Sequence, residues 1–208
     1  MPNYAWNAVV IEGNKEAYDL VKSALTGEGE NTVFDFGKII PLPQHMEKFS
    51  APVKVVPDEE FEQYMQENHP EGLDTYAENG LGLRQAPQSL YDKWIEESGS
   101  GDWYDFRITH WGTKWNGWDV QIADDKEAES TIAVIFTTAW GAPMGIYKAL
   151  EERFPGCRVH AGAIYEDGME AEFIMGDEDL FYEKFELEEE EVDLGDGDYY
   201  TNRWWGQP

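Results

Sequence analysis

Positive charge is what this chain has least of. Only 15 Lys and Arg face 43 Asp and Glu in 208 residues, a formal net charge of −28. A surface so one-sided repels DNA, RNA and anionic membrane. Cysteine is almost missing as well: Cys157 stands alone, which excludes an intramolecular disulfide and suits a reducing compartment. No apolar run approaches the roughly 18 residues that a membrane-spanning helix needs. Residues Met1 to Asn7 carry neither the basic start nor the apolar stretch of a secretory signal. The expectation is a soluble, cytoplasmic protein with no membrane partner and no direct nucleic-acid contact.

Metal and cofactor signatures are also wanting. His45, His69, His110 and His160 are dispersed, without the His-x-x-x-His or Glu-x-x-His spacing of a metal site. Gly195-Asp196-Gly197-Asp198 lacks the alternating carboxylates and closing Glu of a calcium loop. No glycine loop leads into Lys-Ser or Lys-Thr to cradle phosphate. Cys157, just after Pro155-Gly156, reads as a buried thiol and not as a nucleophile paired with His110 or His160. No metal, cofactor or catalytic residue is assigned.

Against these absences stand nine Trp, 11 Tyr and 10 Phe, too many rings for a disordered acidic polymer. The acidity therefore wraps a folded body. Adaptation to high salt and selection for solubility produce such surfaces too, and they weigh about evenly against a specific acidic function.

Hydrophobic periodicity supplies the elements. Tyr4 to Ile11 reads as a strand, with Trp6, Ala8 and Val10 on one side and Val9 and Ile11 on the other. Asn14 caps a helix bearing Ala17, Leu20, Val21 and Ala24, which stops near Gly27. Val33, Phe34 and Phe36 suggest a short strand, and Pro41 begins an irregular stretch that runs to Pro87. Within it, Asp58 to Asn68 reads as an acidic helix with Phe61, Tyr64 and Met65 on its apolar side. Another helix starts at Ser89, with Leu90, Tyr91, Trp94 and Ile95 facing inward. Ser98 to Gly101 looks like a tight connection. Thr131 to Trp140 is apolar on both faces and reads as a central strand. Pro143 opens a helix with Ile146, Leu150 and Phe154 in one stripe. Arg158 to Tyr165 and Met169 to Met175 pair through a turn at Glu166-Asp167-Gly168, with Met169, Ala171, Phe173 and Met175 inward.

That order fits an α+β fold: a ferredoxin-like antiparallel sheet with helices on one face. The domain spans residues 1–185, divisible into sub-units 1–98 and 102–185. Leu180, Phe181, Tyr182 and Phe185 dock as a short helix near its end. From Asp177 to Asp198 there are 12 acidic residues and one Lys, so 186–208 reads as an acidic tail with an aromatic end at Tyr199, Tyr200, Trp204 and Trp205.

One block has an individual character, His110-Trp111-Gly112-Thr113-Lys114-Trp115-Asn116. With Met1-Pro2-Asn3, with Phe34-Asp35-Phe36 leading into Ile39 to Pro43, and with Phe136 to Trp140 before Pro143, it resembles the YubB-type proteins of phages and plasmids. The resemblance covers roughly residues 1–43 and 103–176. It implies a ferredoxin-like domain and a mobile-element setting, and it implies no activity.

Two sets of candidate site residues follow. Asp58, Glu59, Glu60, Glu62, Glu170, Glu172, Glu188, Glu189, Glu190 and Glu191 form the candidate partner-binding carboxylates. Trp111, Lys114, Trp115 and Trp118 form a candidate aromatic pocket, although two Trp flanking such a block serve more often to bury surface against a sheet. The expected function is non-enzymatic: an acidic protein that occupies a basic, nucleic-acid-binding surface of a host protein, a nuclease or defence factor among the candidates. The alternatives are a small-molecule or peptide binder using the tryptophans, an enzyme working through carboxylates, and an assembly component.

Overall fold

The computed structural model describes residues 3–27, 31–74, 82–165 and 171–185. Its strands, in chain order, are β1 (Tyr4–Glu12), β2 (Leu25–Thr26), β3 (Val33–Phe34), β4 (Phe49–Val56), β5 (Leu83–Pro87), β6 (Trp118–Lys126), β7 (Thr131–Ala139), β8 (Arg158–Tyr165) and β9 (Ala171–Met175). The helices are α1 (Lys15–Ala24), α2 (Asp58–Asn68), α3 (Gln88–Ser98), α4 (Trp103–His110), α5 (Met144–Arg153) and α6 (Glu178–Phe185). The fold is α+β, and two compact units divide it: residues 1–40 with 115–208, and residues 41–114. Ser98 to Gly101, the boundary between the sub-units suggested by the sequence, instead joins α3 to α4 inside the second unit.

The first unit is built on a five-stranded antiparallel sheet in the order β6-β7-β1-β8-β9. β7 is buried at every position, as expected of a central strand without polar alternation. Pairing register sorts the side chains. Trp6, Ala8 and Val10 share a face with Ala133, Ile135 and Ile164, whereas Val9 and Ile11 share the other with Val134 and Ile132. Asn14 caps α1 as its sequence position implies, its side chain accepting the Ala17 N–H at 3.0 Å. Tyr18 of α1 donates to Asp125, which pairs with Ile132, so α1 lies on the Val9 face.

The helices are not confined to that face. Phe181 of α6 is buried among Ala8, Val10, Ala133, Ile135 and Ile164 on the opposite side. Burying that ring contributes roughly 1.5–3 kcal/mol, enough to hold a two-turn helix against the sheet. The turn into α6 is shaped by Gly176 at φ +101 and by His160, whose Nδ1 accepts the Asp177 N–H at 2.7 Å. The 166–168 turn and Met169 lie outside the described residues.

The second unit pairs β4 with β5 in parallel, joined through α2. The ring of Phe49 meets Trp94 at 5.1 Å and Phe61 at 6.1 Å, with Met46 and Leu83 also buried. On α3 only Trp94 is buried; Ile95, expected inward, is exposed. β4 has no clear signal in the sequence, because Pro52 removes a ladder donor from the middle of it. The register shift between Phe49 and Lys54 places Pro52 where the pairing is interrupted, which is where a strand tolerates proline.

Candidate interaction surface

Four rings form a continuous row on the Trp6 face of the first unit. Trp6 on β1 and Trp118 on β6 both stand opposite Thr137 of β7, so they flank one small, buried side chain. The Tyr4 ring lies 6.4 Å from Trp6 and 5.8 Å from Trp118, and Trp115 lies 6.1 Å from Trp118. All three contacts are edge-to-face, the arrangement that the ring quadrupole prefers. Tyr4 and Trp115 keep 37% and 40% of their surface open to solvent.

The segment that carries two of these rings is clamped by its own polar residues. Asn116 accepts the Phe36 N–H at 3.0 Å through Oδ1 and donates to Asp35 at 3.3 Å. Gly117 exchanges backbone hydrogen bonds with Phe34, at 2.9 and 3.1 Å. A Cβ on Gly117 would stand 2.7 Å from the Phe136 ring, so only glycine lets the chain come this close. Asn116 and Gly117 hold the backbone while Trp115 and Trp118 are displayed.

The candidate pocket of Trp111, Lys114, Trp115 and Trp118 is thus divided between the units. Trp111 and Lys114 belong to the second, where Trp111 is buried with the Arg107 guanidinium 4.9 Å from its ring. Arg107 also stands 5.0 Å from Trp103, so it faces two indoles. Trp115 and Trp118 come together with Tyr4 and Trp6, which sequence reasoning passed over as strand residues. The available signal was Tyr4 and Trp6 two apart, placing two large rings on one face.

Among the candidate carboxylates, Glu59 and Glu62 are exposed on α2, and Glu60 approaches Lys54 at 3.9 Å. Asp58 serves the fold directly. Its Oδ1 accepts the Ser89 N–H at 3.0 Å, which braces the start of α3 and holds the carboxyl below its ordinary range. Glu170 and Glu188, Glu189, Glu190 and Glu191 lie outside the described residues, as does the side chain of Glu172. Many of the scarce cations are already matched. Lys15 pairs with Asp19, Lys22 with Asp125, Lys93 with Glu97, Lys126 with Asp124 and Arg158 with Glu12.

Burial pushes the Cys157 thiol up to about 11, away from thiolate reactivity. No group of three or more His, Cys, Asp or Glu able to hold a metal occurs among the described residues.

Tyr18 carries the clearest titration signature. Its hydroxyl donates to Asp125 at 2.5 Å, and that bond raises the phenol to about 12. Asp125 is held below its ordinary value, by Lys22 first and Tyr18 second. A raised phenol stabilises the fold below its ordinary value of about 10, and the contribution disappears as pH climbs through 12. The phenolate absorbance difference between the natural chain and Tyr18→Phe is expected to titrate near 12. Asp125→Asn should bring it back toward 10. An unshifted midpoint in the natural chain would contradict this contact.

No family model and no curated protein matches the chain. Among solved structures it is similar to the crystal structure of protein api92 from Yersinia pseudotuberculosis, associated with family model DUF1281. The identity is 11% and the TM-score 0.42, over 85% of this chain and 99% of that one.

Proposed function

We propose that this chain is a non-enzymatic, cytoplasmic interaction protein of a phage or other mobile element. It binds a basic, nucleic-acid-binding surface of a host protein, as a DNA-mimic-like inhibitor of a nuclease or defence system. The observation that carries this reading is a net charge of −28 on a chain with an ordered, aromatic-rich interior. Matching of cations by acids leaves the surplus carboxylates unneutralised, and a cationic surface is their natural counterpart. The mobile-element setting rests on the YubB-type resemblance.

We read the first unit as ferredoxin-like. The succession β1-α1-β6-β7-α5-β8 and the strand order β6-β7-β1-β8 support this, with residues 41–114 inserted between α1 and β6. Charge spacing limits the part played by the acidic tail. Glu186 to Asp198 holds eight acids in 13 positions, about one per 5 Å when extended, against one charge per about 1.7 Å of duplex axis. Mimicry of a duplex therefore needs the folded surface, with α2 contributing.

Capture from a bacterial lysate at low salt, elution by salt and competition with duplex DNA test the proposal. Displacement of the captured protein by DNA is expected. A partner retained at high salt and indifferent to DNA would refute the reading. A second reading, a peptide- or small-molecule-binding module, is favoured by the row of Tyr4, Trp6, Trp115 and Trp118. A ligand that shifts tryptophan fluorescence regardless of salt would select it.

A further inference from the structure

We infer that the row of Trp6, Tyr4, Trp118 and Trp115 is a receptor for arginine side chains projecting from a basic protein segment. The inference deepens the reading of this chain as a binder of basic surfaces and rests on it. Successive ring planes are turned by 75°, 76° and 66°, so the row presents corners and not a flat stack. Its floor is small: Thr137 lies between Trp6 and Trp118, and Ala139 pairs with Tyr4. Trp6 packs against the cluster around Phe181, so a planar group reaches the row through the solvent-exposed rings of Tyr4 and Trp115.

Charge selects the occupant. Ring faces attract cations, and the negative field of a −28 chain raises the local concentration of cations around them. The same field repels the phosphates of a nucleic acid, whose bases would otherwise stack on these rings. Arginine is favoured over lysine because its guanidinium is flat and less tightly hydrated, and so gives up less on leaving water. The second unit already contains this chemistry, with Arg107 facing Trp103 and Trp111 at 5.0 and 4.9 Å.

The test uses fluorescein-labelled nonamers of arginine and of lysine, titrated by anisotropy against the full chain. Trp118→Leu and Trp115→Ala probe the row, and Tyr104→Ser, an exposed ring of the second unit, is the control. Trp115 is exposed, so its variant stays informative even if Trp118→Leu fails to fold. The arginine nonamer should bind about threefold to tenfold more tightly than the lysine one. Both row variants should erase that preference, while Tyr104→Ser keeps it. Equal binding of the two peptides, or a preference that survives Trp115→Ala, overturns the inference yet leaves the acidic-surface reading standing, provided both peptides bind in a salt-dependent way. Absence of binding to either peptide at low salt overturns both. Tighter binding of single-stranded oligodeoxythymidine than of the arginine nonamer also overturns the inference.

Discussion

Replacing Gly176 with alanine is expected to cost the first unit about 2–4 kcal/mol, through backbone strain combined with a collision that cannot relax. Gly176 holds φ at +101 where β9 turns into α6. An added Cβ would lie 2.5 Å from the Val159 carbonyl oxygen and 2.7 Å from the Cα and Nδ1 of His160. Neither backbone can retreat easily, because Val159 and His160 are locked in register against Ile11 and Val10. The collision would break the hydrogen bond from Asp177 to His160. Asp177 in turn accepts the Leu180 N–H through its side chain and the Phe181 N–H through its carbonyl. Loss of this turn would unseat Phe181 from the sheet. Gly72→Ala is the matched control, because Gly72 has φ +84 but nothing within 4 Å of a Cβ. Urea denaturation should show Gly72→Ala losing about 1 kcal/mol and Gly176→Ala at least twice as much. Equal losses would mean that close packing at the turn contributes nothing.

Trp94→Ala should damage the second unit by about 3–5 kcal/mol, the usual range for emptying a site filled by a buried Trp. Trp94 is fully buried, meets the Phe49 ring at 5.1 Å, and donates from Nε1 to the Gln44 carbonyl at 3.0 Å. Trp94→Phe separates the two contributions: it keeps most of the ring packing and removes the donor, so a loss of about 1–2 kcal/mol is expected. The unfolding midpoint in urea, with near-ultraviolet circular dichroism as the packing probe, measures both. A small loss for Trp94→Ala would show that this core does not depend on the indole.

Elements whose local pattern agrees with their final surroundings were legible in the chain. Thr131 to Ala139 is apolar on both faces and is buried on both; Asn14 caps α1; Pro143 and Pro155 bracket α5. β6 escaped notice because Asp119, Asp124, Asp125 and Lys126 argue against a strand. At a sheet edge such charges are tolerated and discourage pairing with other chains. β4 and β5 escaped because parallel pairing depends on partners brought together by α2, and β5 has only five residues. α4 was hidden by a weak apolar stripe, although Asp102 caps it by accepting the N–H groups of Tyr104 and Asp105.

The candidate surface was half visible. Trp115 and Trp118 belong to the candidate pocket read from the sequence, but their neighbours Tyr4 and Trp6 lie more than a hundred positions away. Only the registers β1–β7 and β6–β7 bring them to one row, and two irregularities in the second prevent its inference from alternation alone.

The most direct measurement is the affinity of the full chain for its captured partner as ionic strength is raised from about 50 to about 500 mM, where the Debye length shortens from roughly 14 to 4 Å. If surplus carboxylates grip a cationic surface, the dissociation constant climbs by about two orders of magnitude or more across that range. A dissociation constant unchanged by salt would contradict the account.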